Sequence, residues 1–164
     1  MTSFAAKYHL ELSTPNELEI VMTRVFDAPA SLLFDAFTKP ELIRRWLLGP
    51  DGWTMPVCEL DLRTGGSFHY QWRNEADRNE FGLHGIYREI VPGKRIVHVE
   101  NFDEPWYPDD SIATTEFVEG DGITTLTMTM RFVSREGRDV ALESGMEKGV
   151  AASYDRLEQL LGEG

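Results

Sequence analysis

The chain has 164 residues, of which 41% are hydrophobic and 27% charged, and its formal net charge is −12. This length and composition are typical of one soluble globular domain with a substantial core. The negative charge argues against nucleic acid as a partner, because phosphate binding needs a positive field. No stretch reaches the roughly 18 consecutive apolar residues of a membrane span. We therefore expect no membrane span and a cytoplasmic location.

The N-terminal part is predicted to contain one strand and two short helices. Residues 1–15 are mixed in character and are interpreted as an extension that precedes a single domain over 16–162. Residues 17–26 are rich in β-branched side chains and predict the first strand, although its inward face stays open because both faces are partly apolar. Helices are predicted over 30–37 and 40–46, since Pro40 suits the first turn of the second.

Six more strands are predicted between segments rich in glycine, proline and aspartate. They span residues 53–63, 67–73, 81–90, 95–102, 111–118 and 123–132. The apolar positions share one face when Phe68 is placed opposite Leu62 of the preceding strand and opposite Gly85 of the following strand. Tyr87 is then opposite Val99. A slip by one residue would place these sets on opposite faces, so their agreement supports the register.

Residues 138–161 are predicted to form a long C-terminal helix. Their larger apolar side chains recur at steps of three or four, which places them on one face. Gly149 and Ser153 are small residues on that face. The order of strand, two short helices, six strands and long helix predicts an α+β fold, in which the helix covers the concave side of a curved antiparallel sheet.

Histidine and cysteine are the side chains that most often indicate metal or nucleophilic chemistry. His69 and His84 come out opposite each other, and paired imidazoles can bind a metal or exchange protons. Both are predicted on the outer, polar face without a third ligand, and His98 is also predicted outside. Cys58 lies in a strand-like segment and is interpreted as a buried, inert thiol. We therefore expect no metal site, and the absence of any nucleotide-binding motif predicts no cofactor.

Four segments and their order carry a resemblance to a known family. They read TRVFDAPASLLFDAFTKPELIRRWLLGP, ELDLRTGGSFHY, GIYREIVPGKRI and TLTMTMRF, the last followed by the C-terminal helix. Over about residues 16–162 the chain resembles the START-like (SRPBCC) superfamily, in the branch named for activators of the heat-shock-protein-90 ATPase. The resemblance implies the helix-grip (START/Bet v-like) fold, with a curved seven-stranded antiparallel sheet gripping a long C-terminal helix. It also implies a deep cavity for apolar molecules.

Aromatic and methionine side chains on the predicted inner face suit an apolar ligand, because they offer large and adaptable contact surfaces. The predicted ligand-binding residues are Trp46, Tyr70, Trp72, Tyr87, Trp106, Met128, Met130, Met146, Gly149, Val150 and Ser153. Alternating apolar residues alone do not distinguish a lined cavity from a filled core. The two small residues on the helix favour the cavity, since they leave room where a filled core would place leucine or isoleucine.

Three polar residues, Arg24, Asn101 and Glu116, are expected to reach the cavity and orient a polar group of the ligand. For Arg24 and Glu116 the alternative is a cross-strand salt bridge. The aromatic loop over 103–110, together with 47–53, is expected near the cavity mouth as a lid. Alternatively, Trp106 belongs to a homodimer contact, because exposed aromatic residues mark interfaces.

The first functional hypothesis is a protein that binds a small hydrophobic molecule, such as a lipid or a polyketide-like compound. The second is a cofactor-independent cyclase or hydrolase that uses the same cavity, which requires a titratable residue facing it. The third is a module that interacts with a chaperone ATPase. An enzyme is the less favoured interpretation, since the predicted register leaves all three strand histidines on the outer face.

Overall fold

The computed structural model describes residues 6–104 and 110–163. Within these ranges the chain forms eight strands and four helices. The strands are β1 (Glu11–Ser13), β2 (Glu19–Phe26), β3 (Trp53–Leu60), β4 (Ser67–Asn74), β5 (Glu80–Val91), β6 (Arg95–Phe102), β7 (Ser111–Gly120) and β8 (Ile123–Phe132). The helices are α1 (Ala30–Thr38), α2 (Pro40–Trp46), α3 (Arg135–Glu143) and α4 (Met146–Glu163). None of the helices in the described ranges is long and apolar enough to cross a membrane.

All strands belong to one antiparallel sheet in the order β1-β2-β8-β7-β6-β5-β4-β3. The α+β class and the helix-grip architecture are therefore confirmed. The sheet has one strand more than predicted, because residues 11–13 of the predicted extension pair with β2, with Leu12 opposite Met22. The face of β2 that the sequence left open is settled by burial, since Ile20, Met22 and Phe26 are almost fully buried.

The predicted register is right between β4 and β5, where Phe68 lies opposite Gly85. A Cβ atom at Gly85 would lie 2.0 Å from the carbonyl oxygen of Val99 and 2.6 Å from the Phe68 ring, so only glycine allows these close approaches. Between β3 and β4 the prediction is wrong by two residues, since Phe68 faces Leu60 and not Leu62. The connection is longer than expected because β3 already ends at Leu60.

Between β5 and β6 the predicted register is wrong by one residue. Tyr87 lies opposite His98 and not Val99, because a β-bulge interrupts the pairing between Tyr87 and Glu89. A bulge inserts one unpaired residue and shifts every later pair. His98, predicted outside, therefore points to the inner face of the sheet.

The predicted C-terminal helix is broken at Gly145. The helix α3 ends at Glu143, and Gly145 adopts the left-handed conformation, with φ at +87°. The hydroxyl of Ser144 donates to the carbonyl oxygen of Ala141 at 2.6 Å and satisfies an acceptor at this helix end. Glycine in this conformation after a last helical turn is a common stop signal, so one long helix over 138–161 was the wrong prediction at this point.

Buried apolar side chains form two clusters on the inner face of the sheet. The larger cluster lies beneath α1, α2 and the C-terminal part of α4, and it includes Leu33, Ile43 and Leu157. The smaller cluster lies beneath α3 and includes Ile20 and Phe132. The space where the two clusters meet is not filled by side chains, and it contains the candidate site.

Candidate ligand cavity

A cavity of about 610 Å³ lies between the sheet and α4. Its size falls within the roughly 300–1,000 Å³ of sites that hold small molecules. Residues of β4, β5, β6 and β8 form its floor, and α4 with the segment 47–50 covers it. Five wall residues are also exposed at the surface, namely Pro50, Phe81, Ser144, Gly145 and Lys148. These five mark where the cavity opens to solvent.

The predicted apolar residues lie on this wall. The cavity is lined by Trp46, Tyr70, Trp72, Tyr87, Met128, Met130, Met146, Gly149, Val150 and Ser153. Trp106, also predicted to bind ligand, lies outside the described residues, as does most of the predicted lid and dimer loop. That these side chains contact a ligand stays a prediction, but their convergence on one space is a property of the fold.

The two small residues of α4 have different neighbours. A Cβ atom added at Gly149 would meet no atom within 4 Å, so this position borders empty space. The Ser153 hydroxyl accepts a hydrogen bond from the backbone N–H of Gly49 at 2.8 Å. On the other side, the indole N–H of Trp72 donates to the carbonyl oxygen of Leu47 at 2.7 Å. The segment 47–50 is thereby tied to both α4 and β4 as part of the wall.

Trp46 belongs to the wall and to the core at once. Only 1% of its surface is exposed, and its indole N–H donates to the carbonyl oxygen of Ala36 at 2.8 Å. Its ring lies 4.8 Å from that of Phe37 and 6.0 Å from that of Tyr154. Because it joins α1, α2 and α4, its replacement would destabilise the domain as well as alter the cavity.

The three predicted polar residues do not line the cavity. Arg24 points inward and is 2% exposed, but it lies in the packed region and not on the cavity wall. Its guanidinium binds Asp155 at 2.7 Å and Glu158 at 3.1 Å. Its ion pairs are thus with α4, so the alternative prediction of a cross-strand salt bridge between Arg24 and Glu116 is also wrong. Glu116 points outward, since its neighbours on β7 are buried on the inner face.

Asn101 is likewise outside the cavity, because it alternates with two residues of β6 that line it, Glu100 and Phe102. Its amide donates instead to the carboxylate of Asp110 at 2.6 Å. The one-residue register error explains the wrong prediction, since a shift by one residue exchanges the two faces of a strand.

Sequence reasoning missed a polar pair on the cavity wall, His98 and Glu100. Their side chains are 17% and 12% exposed, and His98 Nε2 lies 3.2 Å from Glu100 Oε1. The His98 ring packs edge-on against Phe68, with 4.9 Å between the ring centres. The signal that could have found them is the spacing of Tyr87 and Ile90, since apolar residues three apart in a strand indicate a bulge.

Two tyrosines stand beside this pair. Burial raises the pKa of Tyr87 to about 12. Burial, followed by the proximity of Tyr87, raises the pKa of Tyr70 well above its ordinary value. Both hydroxyls are therefore protonated at neutral pH. A hydrogen bond from Tyr70 to Tyr87 joins them, which leaves the hydroxyl proton of Tyr87 free to be donated into the cavity.

The pairing of His69 with His84 is as predicted. Each imidazole binds a different oxygen of Asp103, at 2.8 Å for His69 and 2.6 Å for His84. Burial acts to raise the pKa of this carboxyl, but the hydrogen bonds from both histidines outweigh it and hold the pKa below the ordinary 3.8. Among the described residues, no group of three or more potential ligands is placed to hold a metal ion.

Cys58 is buried, at 5% exposure. Burial raises the pKa of its thiol to about 11, so the thiol is protonated at neutral pH. Since the thiolate is the nucleophile, burial and the raised pKa both disfavour nucleophilic chemistry at Cys58.

A curved antiparallel sheet, closed by a C-terminal helix around an apolar cavity, defines the class of helix-grip proteins. Residues 27–162 match the family described as Activator of Hsp90 ATPase homolog 1-like protein, and the chain belongs to this family. No curated protein matches the chain in sequence.

Several solved structures share the fold. A protein from Rhodobacter sphaeroides is 25% identical, with a TM-score of 0.88, and the match covers 94% of this chain and 99% of that one. A protein from Chromobacterium violaceum is 27% identical, with a TM-score of 0.75, over 90% of this chain and 98% of that one. An AHSA1-like protein from Aeromonas hydrophila is 15% identical, with a TM-score of 0.72, over 87% of this chain and 94% of that one. At this identity the likeness supports the fold and nothing more.

Proposed function

We propose that the protein binds a small hydrophobic molecule, lipid-like or polyketide-like, in the space between the sheet and α4. The observation that carries this proposal is the cavity of about 610 Å³, whose wall is mostly aromatic, aliphatic or methionine. Transfer of apolar ligand surface into such a space contributes roughly 25 cal/mol per Å². The cavity opens to solvent beside Gly145 and Pro50, so a ligand has a route of entry.

Native mass spectrometry of freshly purified protein is the first test, because a carried-over ligand would be identified by its mass. Displacement of an apolar fluorescent probe is the second. Gly149→Leu should reduce probe affinity at least tenfold, since its side chain occupies space that is empty in the wild type. Gly162→Leu in the same helix is the matched control, because Gly162 is not on the cavity wall.

Equal affinity of both glycine variants for the probe, with the fold intact by circular dichroism, would contradict the proposal. Met146→Ala should also weaken binding, because it removes contact surface from the wall. Trp46→Ala should weaken binding too, but its core contacts make the variant a poor test, since loss of a buried tryptophan costs about 3–5 kcal/mol.

A second candidate function is a cofactor-independent cyclase or hydrolase. The observation favouring it is that His98, Glu100, Tyr70 and Tyr87 face the cavity, which meets the requirement for a titratable residue there. Protonated tyrosines suit proton donation better than nucleophilic attack. Turnover of an apolar aryl ester that is lost in His98→Gln and retained in His69→Gln would support this function.

Interaction with a chaperone ATPase and formation of a homodimer both stay predictions. Stimulation of the ATPase in a mixing assay tests the first. Light scattering coupled to gel filtration tests the second.

A further inference from the structure

The positively and negatively charged groups of the cavity wall lie at different depths. Glu100 is the one carboxylate among the described wall residues, and Lys148 is the one lysine or arginine. Lys148 is exposed at the mouth, whereas the Glu100 side chain is 12% exposed on the inner face of β6. A negative group therefore lies within the cavity, and the formal positive charge stays at its edge.

The carboxylate of Glu100 has unused hydrogen-bonding capacity. Its Oε1 is 3.2 Å from His98 Nε2, and its Oε2 has no hydrogen-bond partner among the described residues. An ionised carboxylate accepts about four hydrogen bonds and donates none. Glu100 Oε2 is not one of the fully buried unpaired atoms, so it stays accessible, and a ligand that supplies a donor would form a charge-assisted hydrogen bond in addition to burying its apolar surface.

His98 does not use up this capacity. Its Nε2 contacts one carboxylate oxygen of Glu100, and its Nδ1 is buried without a hydrogen-bond partner in the described part of the chain. A single imidazole contact therefore leaves most acceptor positions of the carboxylate available to a ligand.

Aromatic rings strengthen the same preference. Phe68 lies 5.1 Å from Tyr70 and 5.4 Å from Tyr87 between ring centres, and all three line the cavity beside His98 and Glu100. The faces of aromatic rings carry partial negative charge and attract cations. A carboxylate set among such faces resembles in chemistry a site for a protonated amine.

We propose that Glu100 is the polar subsite of the cavity and that it selects apolar molecules that end in a hydrogen-bond donor. An ammonium group should be preferred over a hydroxyl group, and apolar carboxylates should be disfavoured. This inference rests on the proposed ligand-binding function and specifies the ligand's polar end. Tyr70 and Tyr87 line the same cavity.

The test compares four probes with one apolar body, namely naphthylmethylamine, naphthylmethanol, methylnaphthalene and naphthoate, all substituted at the same ring carbon. Affinities are measured by calorimetry at neutral pH. The amine should bind about tenfold more tightly than methylnaphthalene, and naphthoate about tenfold more weakly, because a hydrogen bond to a charged group is worth that much. The alcohol should fall between the amine and methylnaphthalene.

Glu100→Gln should remove the advantage of the amine and leave methylnaphthalene binding within twofold of wild type. Glu116→Gln, which neutralises a carboxylate on the outer face of the sheet, is the matched control and should change neither. Equal binding of all four probes to the wild type, or tightest binding of naphthoate, would overturn the subsite while the proposed function stood. Failure of every probe to bind would overturn the proposed function itself. The wild-type series decides the question even if Glu100→Gln does not fold.

Discussion

The two halves of α4 lie against the same sheet and make opposite kinds of contact. Residues 146–153 border empty space, with Gly149 on the cavity wall. Tyr154 still borders the cavity, whereas residues 155–163 do not line it and pack against the core, where Leu157 is fully buried. The backbone is helical throughout, so the difference comes from the size of the side chains.

The packed half also holds the one inward-pointing arginine of β2. Arg24 joins β2 to Asp155 and Glu158 of α4, and the burial of Leu157 beside this pair contributes about 2 kcal/mol. A helix that is held firmly at one end can leave a gap beneath the other. The comparison therefore suggests that the stability of this domain and its capacity to bind a ligand are carried by separate halves of one helix.

The largest expected effect tests the packed half. Arg24→Ala should lower the free energy of unfolding by about 3 kcal/mol, because it leaves the Glu158 carboxylate, 18% exposed, without its partner. Denaturant unfolding measures this loss. Probe affinity of the folded fraction should not change, since Arg24 does not line the cavity.

Arg45→Ala is the control for this variant. Its partner Glu163 is also on α4, but both side chains are more than half exposed, and such pairs contribute under about 1 kcal/mol. If both arginine variants lost the same stability, the buried pair would not be what holds the packed half.

A smaller effect, of opposite sign, is expected in the other half. Gly149→Ala should raise the free energy of unfolding by about 0.5 kcal/mol, because alanine restricts the unfolded chain and its methyl group meets no atom here. Thermal unfolding measures the gain. Gly162→Ala also has free space around its added methyl group, and only the variant at 149 should alter binding of an apolar probe.

The smallest effect is a dependence on alkaline pH. Burial raises the folded-state pKa of Tyr87 from 10.0 to about 12. The folded state therefore keeps this proton to higher pH than the unfolded chain, and the resulting stability is complete below pH 10 and is lost as the pH rises toward 12. Tyr87→Phe should make the fall in stability over this range less steep, as measured by denaturant unfolding at several pH values.

Sequence patterns were sufficient for most elements and for most of the wall, because alternation and turn residues are local signals, but they missed the short strand β1 and the helix break at Gly145. They were insufficient for register. The two-residue register error at Phe68 left every side chain on its predicted face, because side chains in a strand alternate with a period of two. The one-residue error at Tyr87 exchanged the faces of β6, so Asn101 was predicted inside and Glu100 was missed. The inward face of β2 was left open, and the ion pairs of Arg24 with α4 depend on tertiary packing that no local pattern contains.

The pairing of β2 with β8 has a consequence for how the molecule is made. Glu19 lies opposite Arg131 and Phe26 opposite Thr124, so the first long strand must wait for the last one to be synthesised. Closing so long a loop is entropically costly, and folds dominated by distant strand pairing fold slowly. Until then, the hydrogen-bonding edges of both strands are exposed, and unpaired edges invite association with other chains. We expect newly made chains to be most prone to aggregation just before α4 leaves the ribosome.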